Sequence, residues 1–257
     1  MSQIIAGIDE AGRGSVFGPL IIVGVTFHED TLNQIQGIKD SKLFHGIEAR
    51  KKRGKLAKLL QDSSIEYKVK EITAIEIDNV LDKRPKDNLN LLEIRAIGWL
   101  ILELGSEIVK IDTISTPKYA MRELKMYFHS LGKEFWYRNT PTKYGIGFSL
   151  NNKSSIKKRV FISEKADQLY PIVSAASIIA KCIRDQKLRE IERQERLPEN
   201  TLGLGYPNMK DKNLLNFFKQ NRKKIFNREY QFIRYNWEWK PLQDIIHPKK
   251  SSLDEFI

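Results

Sequence analysis

The apolar run Ile4–Ile8 stops at two adjacent carboxylates, Asp9 and Glu10, which open directly into the glycine-rich string Ala11-Gly12-Arg13-Gly14. Two neighbouring acids leaving a buried strand are electrostatically awkward without a cation. A hard divalent metal such as Mg²⁺ resolves the difficulty, since it takes oxygen ligands and keeps several waters. Asp112 ends a second apolar run, Glu107–Asp112, and Asp167 stands in the loop before a long helical stretch. If the two strands are sheet neighbours, their carboxylates converge on one edge. The competing reading makes Asp112 and Asp167 ordinary turn and cap formers, and spacing alone leaves both open.

The rest of the chain supplies the surrounding elements. Pro19–Phe27, rich in Ile and Val, reads as a second buried strand, and Glu66–Ile72 alternates as a half-exposed strand does. Glu48–Leu60 and Leu89–Leu104 read as helices, the first very basic and the second strongly apolar. Thr116-Pro117 opens another helix with a capping hydroxyl before proline, and Gly132 closes it. A long helix is expected from about Pro171 to Glu195, its early turns lined by Ser174, Ala175, Ala176, Ser177 and Ala180. Such small residues read as packing against a sheet. Strands first, then alternating helix and strand, predict a mixed sheet with helices packed on it.

Composition narrows the partners. The 257 residues carry 44 Lys and Arg against 32 Asp and Glu, a net charge of +12 that favours polyanions over neutral ligands. A membrane surface is the competing polyanion, but no apolar run approaches the roughly 20 residues that span a bilayer. Met1-Ser2-Gln3 lacks a basic leader, so no secretory signal is expected. Cys182 is the only cysteine, which excludes an intrachain disulfide framework and a thiolate metal cage; it reads as a small buried hydrophobe. A cytoplasmic monomer is the expectation.

Four segments in order carry a family resemblance. Gly7-Ile8-Asp9-Glu10-Ala11-Gly12-Arg13-Gly14 with Gly18-Pro19 resembles the N-terminal signature of the ribonuclease HII family, and Asp40-Ser41-Lys42-Leu43 its next motif. Lys165-Ala166-Asp167, Tyr170-Pro171, Val173–Ile178, Ala180-Lys181 and Arg184-Asp185 match the longest one. Gly205-Tyr206-Pro207 is similar to the archaeal-type version of a later one. Ser15 stands where the family usually has Pro, and Leu204 where a Ser is common. Arg13 favours ribonuclease HII over ribonuclease HIII. The resemblance implies an α/β fold, a ribonuclease H-like mixed five-stranded sheet flanked by helices with a C-terminal helical extension. Residues 1–205 would form the catalytic domain, 206–250 a basic helical region packed on it, and 251–257 a tail.

The resemblance also implies the chemistry. Asp9, Glu10, Asp112 and Asp167 become the ligands of Mg²⁺ or Mn²⁺. Two metals held by shared carboxylates activate water and assist the leaving oxygen, so RNA–DNA hybrids and duplex DNA with embedded ribonucleotides would be cut to 3′-hydroxyl and 5′-phosphate ends in DNA replication and repair. A metal-free mechanism needs a His pair, and His28, His45, His129 and His247 show no such spacing. The 2′-hydroxyl separates RNA from DNA. By resemblance Gly12, Arg13 and Gly14 grip the ribose, Tyr206 meets the following sugar and Lys42 contacts phosphate; a buried tyrosine and a solvated lysine are the alternatives. Arg50–Lys58 and Lys219–Lys250 are basic, the second rich in aromatics. Phe226, Phe232, Trp237 and Trp239 are expected mostly in the core, with Arg222, Lys223 and Lys224 on phosphate. At the C-terminus, Leu253, Phe256 and Ile257 fall at i, i+3 and i+4. They resemble the peptide by which replication proteins dock on the sliding clamp, with Lys250 where Gln is expected; a frayed terminus is the alternative. A binder without catalysis would lack one of the four acids, and a resolvase- or transposase-like nuclease would have no use for the Gly-Arg-Gly loop.

Overall fold

The structure is a computed structural model that describes residues 3–35, 38, 46–83, 87–132, 136–142, 145–151 and 157–248. They fall into two compact units, one within Met1–Ala11, Ile21–Lys70 and Asn90–Cys182, the other within Gly12–Leu20, Glu71–Leu89 and Ile183–Ile257. In chain order the elements begin β1 (Ile4–Ala11), β2 (Leu20–His28), α1 (Glu29–Gln34), α2 (Gly46–Ser63), β3 (Glu66–Ile72), α3 (Ala74–Leu81) and α4 (Leu89–Glu103). There follow β4 (Ile108–Asp112), α5 (Pro117–Ser130), β5 (Trp136–Thr142), β6 (Gly145–Asn151), β7 (Lys157–Ser163) and α6 (Ala166–Leu169). The chain then runs through α7 (Pro171–Gln194), α8 (Lys212–Gln220), α9 (Arg222–Phe226) and α10 (Lys240–Ile246).

The strands form one sheet in the order β3-β2-β1-β4-β7-β6-β5. β1 runs antiparallel to β2 and parallel to β4, β4 runs parallel to β7, and β7, β6 and β5 are antiparallel neighbours. The sheet is therefore mixed, as expected, but among the described residues it has seven strands, not five. Its apolar strands were the legible ones. β2 is buried at every position before His28, so it reads as a continuous apolar run, as a strand covered on both faces must. β5 carries Pro141 and β6 carries Gly145 and Gly147, which blur the strand pattern. Pro141 is tolerated because β5 is the last strand of the sheet and, among the described residues, pairs only with β6.

Helix ends follow their sequence signals. Thr116 Oγ1 accepts from the Tyr119 amide at 3.2 Å with Pro117 in the first turn, and Gly132 (φ +66°) lies just past the end of α5. Thr73 and Glu76 form a reciprocal capping box on α3. Cys182 is half-buried, not fully buried as expected, as are its chain neighbours Lys181 and Ile183.

The second unit has its own core around Phe17, which is wholly buried. Its ring lies 5.5 Å from Phe218 in a stacked arrangement and 5.5 Å from Phe217 edge-on. Phe232 and Trp239 are buried in the same cluster, and Phe226 and Trp237 pack against it. Arg234, with no exposed surface, lies at the heart of this unit.

Candidate active site

In the first unit, β1 and β4 bring two acids into line. Their parallel register pairs Ile8 with Ile111, so the next residues, Asp9 and Asp112, stand side by side at the strand ends on the same face. Asp112 is in turn the register partner of Ser163 on β7. β1 extends through Ala11, so Asp9 and Glu10 lie within the strand and not beyond it, held there by pairing with Val23 and Ile22. Asp9 is buried and Glu10 and Asp112 are half-buried. Burial pushes the Asp9 carboxyl well above the usual range, the charges of Glu10 and Asp112 push it further, and hydrogen bonds from Ser177 and the Glu10 amide (2.8 Å) only partly offset this.

The face carrying Asp9 also carries the start of α7. Gly7 lies two residues before Asp9, and a Cβ there would overlap the Ile172 carbonyl, so only glycine lets helix and strand approach this closely. Further along α7, Lys181 Nζ donates to Ser177 Oγ at 2.8 Å. An ammonium can only donate, so the Ser177 proton is left to point at Asp9. Asp112 Oδ1 accepts from the Thr113 amide and from the Ala166 amide, each at 3.0 Å. The second of these caps α6, whose preceding residue Lys165 (φ +54°) offers no side-chain cap. Asp167 is the next residue, so the third acid anchors the helical turn that bears the fourth.

Among the described residues, no three His, Cys, Asp or Glu side chains already sit closely enough to hold a metal ion. The donor set nevertheless fits one. A carboxyl forced toward its neutral form first by burial and then by like charges is stabilised by a hard cation, and carboxylate oxygens are the ligands Mg²⁺ and Mn²⁺ take.

The second unit holds the Gly12–Gly14 loop and the Gly205-Tyr206 turn. Gly12 has φ +94°, and a Cβ there would overlap Arg184 Nε. Arg184 Nη2 donates to Ser15 Oγ at 2.8 Å and to the Leu204 carbonyl at 2.5 Å, while its guanidinium lies 4.9 Å from the Tyr206 ring centre. Arg234 donates to the Arg13 carbonyl at 2.9 Å and to the Gly18 carbonyl at 3.1 and 3.0 Å. Tyr206 is 43% exposed, so the alternative of a buried packing tyrosine does not hold.

The ribonuclease HII family model matches residues 6–135 and 142–240. The chain belongs to the ribonuclease HII family. As a member it is an endonuclease that cleaves RNA in RNA–DNA hybrids, and its family acts with a divalent metal. It is 36% identical to a ribonuclease HII of Methanosphaera stadtmanae over 242 residues, 92% of each chain. The crystal structure of ribonuclease H2 from Pyrococcus horikoshii superposes with a TM-score of 0.69 at 27% identity, covering 95% of this chain and 97% of that one. The ribonuclease HII in a complex with PCNA from Archaeoglobus fulgidus superposes with a TM-score of 0.68 at 25% identity, covering 98% and 100%.

Lys42 and the tail residues Leu253, Phe256 and Ile257 lie outside the described residues. Of the basic stretches, Lys51, Lys52, Lys55 and Lys58 are exposed on α2, and Lys223 and Lys224 on α9. Sequence reasoning missed the chemistry of Ser177, which it took for a packing residue, and of Lys181, Arg184 and Arg234. The first three could have been found, because they recur at i, i+4 and i+7 on an otherwise apolar stretch of a ribonuclease HII helix. Arg234 carried no comparable signal. No helix among the described residues is long and apolar enough to cross a membrane.

Proposed function

We propose that the enzyme incises duplex DNA on the 5′ side of single embedded ribonucleotides as well as cutting continuous RNA–DNA hybrids, leaving 3′-hydroxyl and 5′-phosphate ends. The observation that carries this reading is Asp9, a buried carboxyl beside Glu10 and Asp112 with its charge only partly compensated. Asp9, Glu10, Asp112 and Asp167 would hold Mg²⁺ or Mn²⁺, which supplies an activated water and stabilises the leaving oxygen. Ser177 orients Asp9 through its hydroxyl. The Thr113 and Ala166 amides fix Asp112. Gly12, Arg13 and Gly14 follow Glu10 with one residue between, and their peptide groups are suited to the 2′-hydroxyl. Tyr206 offers an exposed ring for the next sugar, and Lys42 a charge for phosphate.

The surplus of 12 positive charges supports a polyanionic substrate gripped through its backbone. The tail residues Leu253, Phe256 and Ile257 are proposed to dock on a sliding clamp, supported by their spacing and by the relative solved with PCNA. A monomer in the cytoplasm is the proposed form. The test compares a DNA duplex bearing one ribonucleotide with its all-DNA counterpart, in Mg²⁺, Mn²⁺ or chelator. Incision 5′ of the ribonucleotide, only with metal and only on the first duplex, is the expected result. Cleavage in chelator, or equal cleavage of both duplexes, would sink it.

A further inference from the structure

Ser15 directly follows the Gly12–Gly14 loop and has no exposed surface, an unusual place for a hydroxyl. Its Oγ lies 2.7 Å from the Gly205 carbonyl and 2.7 Å from the Phe17 carbonyl, so its single proton serves one of them at a time. It accepts from Arg184 Nη2 at 2.8 Å, and the other proton of that nitrogen goes to the Leu204 carbonyl at 2.5 Å. The Val16 amide adds a parallel tie to the Gly205 carbonyl at 2.8 Å. Two segments 190 residues apart in sequence are joined here by four hydrogen bonds, two of them through Arg184.

The joint has no slack. Gly205 has φ +72°, and a Cβ there would come within 2.5 Å of Ser15 Oγ and 2.6 Å of Arg184 Nη2. On the loop side, Arg234 pins the Arg13 carbonyl at 2.9 Å. On the turn side, the Arg184 guanidinium faces the Tyr206 ring, and a Cβ at Gly14 would stand 3.7 Å from Tyr206 Cε1. The glycine loop and the tyrosine are thus two arms of one hydrogen-bonded body, with Ser15 at the hinge between them.

We infer that Ser15 is a positioning residue: it fixes the spacing between the Gly12–Gly14 loop and Tyr206, and through that spacing the preference for a ribonucleotide over a deoxyribonucleotide. This rests on the reading above, in which those two elements meet the sugars; it adds what holds them in register. Telling a 2′-hydroxyl from a hydrogen requires contact groups held to within about 0.5 Å. A buried hydroxyl with several partners holds them so, because water cannot substitute for any of those partners.

The experiment measures equilibrium binding in chelator, where no cleavage occurs, to a duplex with one ribonucleotide and to its all-DNA counterpart. Ser15→Ala should lower affinity for the ribonucleotide duplex about fivefold, the loss of one net hydrogen bond, while all-DNA affinity stays unchanged. In a Tyr206→Ala background, Ser15→Ala should add nothing, since no ring remains to be placed. Equal loss on both duplexes, or losses that multiply in the double variant, would overturn the positioning role. A Tyr206→Ala variant with the full ribonucleotide preference would overturn the reading beneath it, and this inference with it. Where the alanine variant does not fold, Ser15→Cys keeps the shape with a weak donor and gives the same readout.

Discussion

The strand ends and the loop that follows them, separated in sequence only by Ala11, solve opposite electrostatic problems. At the strand ends, negative charge is gathered and left under-compensated: Asp9 is buried between the charges of Glu10 and Asp112, with one hydroxyl and one amide in partial relief. In the loop and its turn, two buried guanidinium groups, Arg184 and Arg234, donate to the carbonyls of Leu204, Arg13 and Gly18, and to Ser15. On the proposed reading, the first region would be completed by a cation. The second is complete before any ligand arrives. That contrast supports the proposed roles: a metal site would keep donors in reserve, whereas a site that reads one hydroxyl would be rigid beforehand.

The comparison breaks most sharply at Asp9. Asp9→Asn keeps the shape and removes one of the charges facing the cation, so turnover should fall at least about 1,000-fold while substrate binding is largely spared. The same change relieves like-charge repulsion, so the variant should melt higher than the parent in chelator. Mg²⁺ or Mn²⁺ should raise the melting temperature of the parent, by about 2.7 kcal/mol of added stability at a hundredfold excess over Kd, and leave the variant nearly unmoved. Rates and melting curves with and without metal check both. An active variant would remove Asp9 from the metal site.

Arg234 is the opposite experiment. Arg234→Met keeps the volume and strands the Arg13 and Gly18 carbonyls in a dry interior, which should cost about 3 kcal/mol in urea unfolding, independent of metal. A metal-dependent loss would mean that the two regions are not separate in energy. Next in size is Tyr206→Ala, which should reduce cleavage of single-ribonucleotide duplexes about tenfold more than cleavage of continuous hybrids, a difference of about 1.4 kcal/mol. Equal losses on both substrates would reduce the ring to a packing role.

What was legible in the sequence follows the same division. Apolar runs announced β1, β2 and β4, and the acids Asp9 and Asp112 stood out in the sequence and lie side by side in the fold, because buried strands leave continuous hydrophobic text and a charge beside it is conspicuous. β5, β6 and β7 were hidden, since Pro141, Gly145 and Gly147 and the basic Lys157-Lys158-Arg159 mask any period of two. The glycines and Tyr206 came from motif resemblance alone. What holds them did not: Arg234 joins Arg13 and Gly18 across 221 and 216 residues, and nothing local in a sequence encodes a carbonyl that distant. Ser15 is similar, since its partners at Gly205 and Arg184 exist only after folding.

The smallest expected effect concerns Ser177, where the two strategies meet on one helix. Lys181 donates to Ser177 Oγ at 2.8 Å, which leaves the hydroxyl proton for Asp9, so a positive charge reaches the acid row through one intervening hydroxyl. Ser177→Ala removes that link but neither the carboxyl nor its neighbours. Mn²⁺ affinity, read by the loss of free-ion signal in electron paramagnetic resonance, should weaken about threefold, the lower end of a net hydrogen bond. Ser177→Thr, which keeps the hydroxyl, should restore most of it, and Lys181→Met should fall between the two. Full Mn²⁺ affinity in the alanine variant would return Ser177 to the packing role that its small neighbours Ala175 and Ala176 suggest, and the acid row would then owe its orientation to the β1–β4 register and to the amides of Glu10, Thr113 and Ala166.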